Sequence, residues 1–233
     1  MEDLRRQVAA CSRMLVDAGI LAYSGHISAR IDADHFLIQT FDDVRAELDP
    51  NRLLVVDLDG KVVEGEGEPP FEVYVHSEIL RARPEVGAVT HFHHDPTTTF
   101  TMVDGAKILP VKNHASRWAN GIPTHPDPTH IRTVEQGKAL AQTLGDKHAA
   151  LMRAHGQVVV AEDVLNLFSD VIHLVENSTV LIQAMQMGRV MPLTDDEIDL
   201  FNQTFDRQKV AQKVWKYYMA IGKTKGIIPS DWL

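Results

Sequence analysis

The sequence has a single cysteine, no long apolar run and no excess of positive charge. Cys11 alone cannot close an intrachain disulfide, which fits a reducing compartment. It lies on the apolar side of a helical pattern and reads as a packed thiol rather than a nucleophile. No stretch approaches the roughly 18 apolar residues of a membrane span and no signal-peptide pattern opens the chain, so a cytoplasmic protein with no membrane partner is expected. Basic residues number 23 against 32 acidic ones, for a net charge of −9, and no Lys/Arg stripe offsets it. That balance argues against a nucleic-acid partner. Repeats and low-complexity tracts are absent. The segment Gly65 to Pro70 (GEGEPP) lacks the glycine spacing of a P-loop or a dinucleotide fingerprint. What remains is an ordinary globular composition, 44% hydrophobic and 24% charged, over 233 residues. Residues 1–233 read as one domain with a substantial core.

In chain order, Leu4, Val8, Cys11 and Leu15 recur at helical spacing and Gly19 ends that helix. A turn at Ser24-Gly25-His26 leads into a strand, which Phe36 to Thr40 pairs as a hairpin. Asp59-Gly60 is a hairpin turn between Leu53–Asp57 and Lys61–Val63. Phe71 to Ala82 is helical and stops before Pro84. Val111 to His130, rich in proline and histidine, reads as a long loop of the kind that carries function. Thr133–Gln136 is a capping box for a helix ending at Gly145. Ala149–Arg153 and Val158–Ala161 are strands joined by a bend at His155-Gly156. Asp163 caps a long helix to about Gly188, and Thr194–Glu197 caps another expected to reach about Ile221. Strands interleaved with helices predict one α/β domain with a mixed sheet.

The stretch with the most chemistry is Thr90-His91-Phe92-His93-His94-Asp95, following the apolar run Val86–Val89. On a strand, His91 and His93 share one face. Two imidazoles on one face, joined by a third histidine and a carboxylate, can hold a divalent ion with room for substrate. A bare HxH pair is equally compatible with solvated or core histidines. His76, one helical turn after Glu72, is placed to orient that carboxylate. His94 points to the opposite strand face. His125, His130 and His173 read as structural or exposed.

Glu72 just inside a helix, His91-x-His93 nineteen residues on, and Leu151-Met152-Arg153-Ala154-His155-Gly156 together resemble the class II aldolase/adducin family. The resemblance runs from the Gly25-x-x-Ser28 turn to the closing helices. It implies an α/β/α sandwich around a mixed, mostly antiparallel sheet. It also implies one divalent metal per chain (Zn, Mn, Fe or Co) on His91, His93 and His155, with Glu72 as acid/base. The family's usual assembly is a homotetramer with sites at subunit interfaces. Residues from about 194 to 233 are then expected at such an interface, with Tyr217 reaching a neighbour's site.

Departures from the family's sugar-phosphate members point to a different substrate. His26 stands where those members carry Asn, and Pro70-Phe71 where they carry Ser-Ser, so hydroxyls and an N–H that would hold phosphate are missing. The loop Thr40 to Glu47 has no glycine and three acidic residues, which predicts a pocket hostile to phosphate. The expected activity is that of a metal-dependent carbon–carbon lyase, a decarboxylase of a hydroxylated phthalate-like or pyridine carboxylic acid. An aldolase on a non-phosphorylated hydroxy-keto acid and a metal-dependent oxygenase of the same fold stay open. Substrate-binding candidates are His26, Phe71, His114, Arg45 and Arg117, with Tyr217 from a neighbour.

Overall fold

The computed structural model describes residues 1–232 and forms one α/β unit. It opens with α1 (Glu2–Asp17), β1 (His26–Arg30), β2 (His35–Ile38), β3 (Leu54–Asp57) and β4 (Val62–Glu64). Next come α2 (Val73–Ala82), β5 (Ala88–Phe92), the short α3 (Asp95–Thr98), β6 (Thr124–His125) and α4 (Val134–Leu144). The chain closes with β7 (Ala149–Met152), β8 (Gly156–Ala161), α5 (Val164–Met187), α6 (Asp195–Asn202) and α7 (Arg207–Thr224). Most boundaries follow from local signals. Gly19, at φ +71°, follows the Ala18 cap of α1. The capping box of Thr133 and Gln136 opens α4, and Asp163 accepts from the Asn166 N–H at the start of α5.

The eight strands lie in the order β4-β3-β2-β1-β5-β8-β7-β6, and only the β6–β7 pair is parallel. Alternation sorts their side chains into two cores. Ile27, Ala29, Leu37, Ala88, Phe92 and Val159 pack with α1 and α5 on one face. Phe36, Ile38, Val89, Val158 and Val160 pack with α2 and α4 on the other. The expected α/β/α sandwich with a mostly antiparallel sheet is the observed one. His26, Ser28 and His91 alternate with Ile27, Ala29 and Phe92, so they face α2.

The C-terminal segment departs from expectation. The single helix expected from Thr194 to about Ile221 is two. Thr194 and Glu197 form the capping box of α6, whose last residue is Asn202. The chain then restarts at Asp206, whose carboxylate accepts from the Lys209 N–H. Phe201 and Phe205 stack across the break with ring centroids 4.6 Å apart. Of the three aromatics on α7, two are used within the chain: Phe168 of α5 meets Trp215 at 5.6 Å and Tyr218 at 5.1 Å, both edge-on. Tyr217 is 61% exposed. The segment Val111–His130 is also more ordered than a loop, with 3-10 turns over Asn113–Trp118 and the two-residue strand β6. Because the Asp206 side chain caps the start of α7, Asp206→Ala should cost about 1 kcal/mol of stability, read as a lowered midpoint in urea unfolding.

Candidate active site

Glu72, His91, His93 and His155 come together from four places in the chain. His91 is the penultimate residue of β5, and His93 follows its end. His155 sits in the turn between β7 and β8, and Glu72 is the N-cap residue of α2. One ligand atom from each of the four lies within 4.8 Å of the others. Glycines permit this approach. A Cβ on Gly156 would lie 2.6 Å from both the His93 ring and the Phe92 carbonyl oxygen. A Cβ on Gly25 would lie 2.9 Å from the His91 carbonyl oxygen, and that residue has φ +95°. The His155 turn also holds Ala154 at φ +52°, fixed by its N–H donating to Thr101 Oγ1 at 2.9 Å.

Glu72 does not cap its helix with its side chain. Its Oε1 accepts from the Ile131 N–H at 3.0 Å, and its oxygens lie 3.5 Å from His91 Nε2 and 3.6 Å from His155 Nε2. Burial pushes the carboxyl up, but contact with His91, the Ile131 N–H and the His155 ring outweigh it and bring Glu72 down to about 2. The imidazoles behave in the opposite sense. Burial, reinforced by the neighbouring rings, lowers His93 and His155 to about 4 and His76 to about 3. Neutral rings and one ionised carboxylate are the ligating forms of a metal's donors.

Hydrogen bonding agrees with that chemistry. The Nδ1–H of His91 donates to the Gln157 carbonyl at 3.1 Å, so that Nε2 is the atom aimed at the cluster. Ser24 Oγ lies 2.8 Å from His93 Nδ1 and can accept its proton. His93 Nε2 then stands only 3.0 Å from His91 Nε2. His155 Nε2 is buried with no hydrogen-bond partner. Two ring nitrogens this close and an orphaned third are satisfied together by one cation. The donor set fits a single divalent ion.

Glu72 and His93 of the cluster line a cavity of about 250 Å³ together with His26, Arg45, Phe71, His130 and Arg132. His26 and Phe71, two of the substrate-binding candidates, are both in this lining. Arg45 lines the cavity too, though its guanidinium donates to the carbonyls of Gly25, Phe41 and Asp43 and braces the turn before β1. His114 and Arg117 lie outside the cavity. His114 stacks on His173 at 4.0 Å beside Glu176, and Arg117 pairs with the buried Asp170 at 3.2 Å. Tyr217, exposed on α7, is also outside the cavity of its own chain. His76 bonds His26 and Ser28 rather than Glu72. His94 bonds Thr97 Oγ1 at 2.8 Å.

The acidic pocket is a further correction. Asp43 turns away, accepting from the Thr40 N–H at 2.8 Å and pairing with Arg52 at 2.9 Å. The mouth of the cavity is instead cationic, through Arg132, a residue the sequence reading passed over. Its guanidinium lies 4.9 Å over the Phe71 ring, and Phe71 packs on Phe41 with centroids 4.4 Å apart. No carboxylate pairs with Arg132 among the described residues. His130, read as structural or exposed, is exposed but lines the mouth, with its ring 5.3 Å from that of His155.

The family model for the class II aldolase and adducin N-terminal domain matches residues 6–182. The chain belongs to the class II aldolase and adducin family. A 3,4-dihydroxyphthalate decarboxylase of Rhodococcus jostii is 26% identical over 210 residues, covering 84% of this chain and 86% of that one. Its counterpart from Arthrobacter keyseri is 29% identical over 174 residues, covering 69% of this chain and 70% of the relative. A methylthioribulose-1-phosphate dehydratase of Marinobacter nauticus is 31% identical over 135 residues, covering 54% and 64%. Among solved structures, an aldolase II superfamily protein from Pseudomonas syringae superposes with a TM-score of 0.84 at 22% identity, covering 97% of this chain and 94% of that one. An L-fuculose 1-phosphate aldolase from Glaciozyma antarctica gives 0.82 at 21%, covering 97% and 90%. These likenesses establish the fold. No helix among the described residues is long and apolar enough to cross a membrane.

The close approach at Gly156 makes a separable prediction. Gly156→Ala forces the His93 ring or the Phe92 carbonyl to move, so the purified variant should hold well under one ion per chain after zinc loading and desalting. Elemental analysis reads the ratio, with the wild-type protein expected near one.

Proposed function

We propose that the protein is a divalent-metal-dependent carboxy-lyase acting on a hydroxylated aromatic dicarboxylic acid. The observation that carries this reading is the pairing of Glu72 among three histidines with an aromatic wall and an Arg132 guanidinium lining the same cavity. The decarboxylase relatives, named for 3,4-dihydroxyphthalate, support the same substrate class. His91, His93 and His155 would hold the ion, with Glu72 beside it; imidazole suits Zn, Mn, Fe or Co alike. When bound, the ion supplies Lewis acidity toward a substrate oxygen.

The chain's own residues account for the proton. Glu72 is the carboxylate of the cluster, so it is the group placed to accept the proton of the hydroxyl ortho to the departing carboxylate. As the ring-carbon-to-carboxylate bond breaks, its electron pair stays on the ring carbon and CO₂ leaves. Glu72 then returns the same proton to that carbon and is ionised again. Phe71 and Phe41 offer a flat face to the ring, and Arg132 offers two parallel N–H donors to the carboxylate that remains. The proposal includes a homotetramer in which the exposed Tyr217 approaches a neighbour's cavity.

A second reading is elimination of water from a sugar phosphate. It is favoured by the dehydratase relatives and by the cationic mouth, which suits phosphate as well as carboxylate. Pro70, lining the cavity without an N–H, and the apolar face of Phe71 weigh against it.

The deciding experiment is an anaerobic assay of zinc-, manganese-, iron- and cobalt-loaded protein. CO₂ release from 3,4-dihydroxyphthalate and related pyridine dicarboxylates is expected, with no turnover of methylthioribulose 1-phosphate or fuculose 1-phosphate. Turnover of a sugar phosphate without CO₂ release from any aromatic acid overturns the proposal. Glu72→Gln should lower kcat by roughly 10²–10⁴. Arg132→Gln should raise KM by roughly 10–100-fold with kcat little changed, the loss of one charge-assisted contact.

A further inference from the structure

We infer that Ser28 and His76 fix the hydrogen-bond polarity of His26, so that its Nε2–H faces the cavity as a neutral donor. Three side chains form one line behind the floor of the site. Ser28 Oγ lies 2.6 Å from His76 Nδ1, and His76 Nε2 lies 2.7 Å from His26 Nδ1. The remaining nitrogen, His26 Nε2, opens on the cavity 3.9 Å from Glu72 Oε2. Ser28 and His76 are fully buried and His26 is 4% exposed, so water does not complete the line from behind.

Neutral imidazoles allow the line to run in only two directions. In one, the Ser28 hydroxyl donates to His76 Nδ1, the His76 Nε2–H donates to His26 Nδ1, and the His26 Nε2–H is left for the cavity. In the other, His26 Nδ1–H donates to His76 Nε2, and His76 Nδ1–H donates to Ser28 Oγ. One penalty falls on the second direction alone. The Ser28 hydroxyl proton is then buried with no acceptor, because Oγ has no other hydrogen-bond partner among the described residues. That penalty selects the first.

His26 and Glu72 then present opposite polarity to whatever lies between them. His26 takes an acceptor atom, a carboxylate or carbonyl oxygen, and Glu72 takes a proton. That pair orients a substrate in a way a freely flipping imidazole cannot. Ser28 and His76 touch no substrate and are positioning residues. That the acceptor is a carboxylate oxygen rests on the carboxy-lyase reading; the polarity does not.

The test uses zinc-loaded full-length protein labelled with ¹⁵N in its histidines. Ring ¹⁵N shifts and couplings should show His26 and His76 each carrying a proton on Nε2 and none on Nδ1. Protonation of His26 on Nδ1 overturns the inference, whatever the enzyme's activity proves to be. Ser28→Ala removes the directing donor; His26 should become a mixture of tautomers, and KM should rise about tenfold with kcat little changed. Wild-type tautomer and KM in Ser28→Ala would equally overturn it. If the wild-type spectrum shows the Nε2–H form and no aromatic acid is decarboxylated, the inference stands and the carboxy-lyase reading falls.

Discussion

The site depends on the register of β5 between two antiparallel neighbours. His91 pairs with His26 of β1 on one side and with Val158 of β8 on the other. A slip of one residue would turn His91 toward α1 and α5 and bring an apolar side chain to the cavity floor. What prevents the slip is ordinary packing. Ala88 and Phe92 are fully buried in one core and Val89 is fully buried in the other. Burying a side chain such as Phe or Val is worth about 1.5–3 kcal/mol, so the direction of the imidazoles is set by their apolar neighbours rather than by the imidazoles themselves.

Placing so many polar groups behind a sheet has an electrostatic consequence. Desolvation penalises charge, and the rings of His26, His76, His93 and His155 are all held below the ordinary histidine range. Glu72 escapes because partners stabilise its charged form. The result is a carboxylate among buried rings, in which the 3.0 Å contact of His91 with His93 and the partnerless His155 nitrogen are local defects. A cation removes them, so ligand binding and local stability are the same free energy counted at one place. Groups that destabilise a fold alone while converging on one point are characteristic of sites kept for chemistry.

How much of this was legible in the sequence follows from the range of the signals. Period-2 and period-3.6 patterns, the Asp59-Gly60 turn and the capping residues are local, and they place nearly every element. The floor of the site was legible because His91 and His93 lie two residues apart and because Glu72 and His155 occur in the family's order. Features that depend on where a side chain turns were not. Arg117 has the chemistry of a carboxylate binder, but the fold sets it against Asp170, and it stacks His114 on His173. Asp43 counted as a negative charge in the pocket, whereas its oxygens are occupied by Thr40 and Arg52. Arg132 belongs to no motif; only its approach to Phe71 across 61 positions of chain reveals it. The break between α6 and α7 could have been read, since Asp206 stands three residues before Lys209 as a capping residue does.

Rigidity and selectivity are divided in this molecule between different kinds of element. The corner that gathers Glu72 and the three histidines is built from a strand, a helix cap and a tight hairpin. The groups that line the cavity farther out stand on loops: Phe71 before α2, and His130 and Arg132 before α4. Loops can change these groups without disturbing the corner, which is how one fold supports unrelated substrates. The same division explains why a TM-score of 0.82 to a fuculose-phosphate aldolase carries so little about the substrate. Arg132 by itself is undecided, because a guanidinium forks onto phosphate as readily as onto carboxylate. The discrimination falls to the surface beneath it. Phe71 stacked on Phe41 gives an apolar face where a polyol would need hydroxyl partners, and Pro70 removes an N–H that a phosphate would use. A flat ring carrying its charge at one edge satisfies that face and that cation at once.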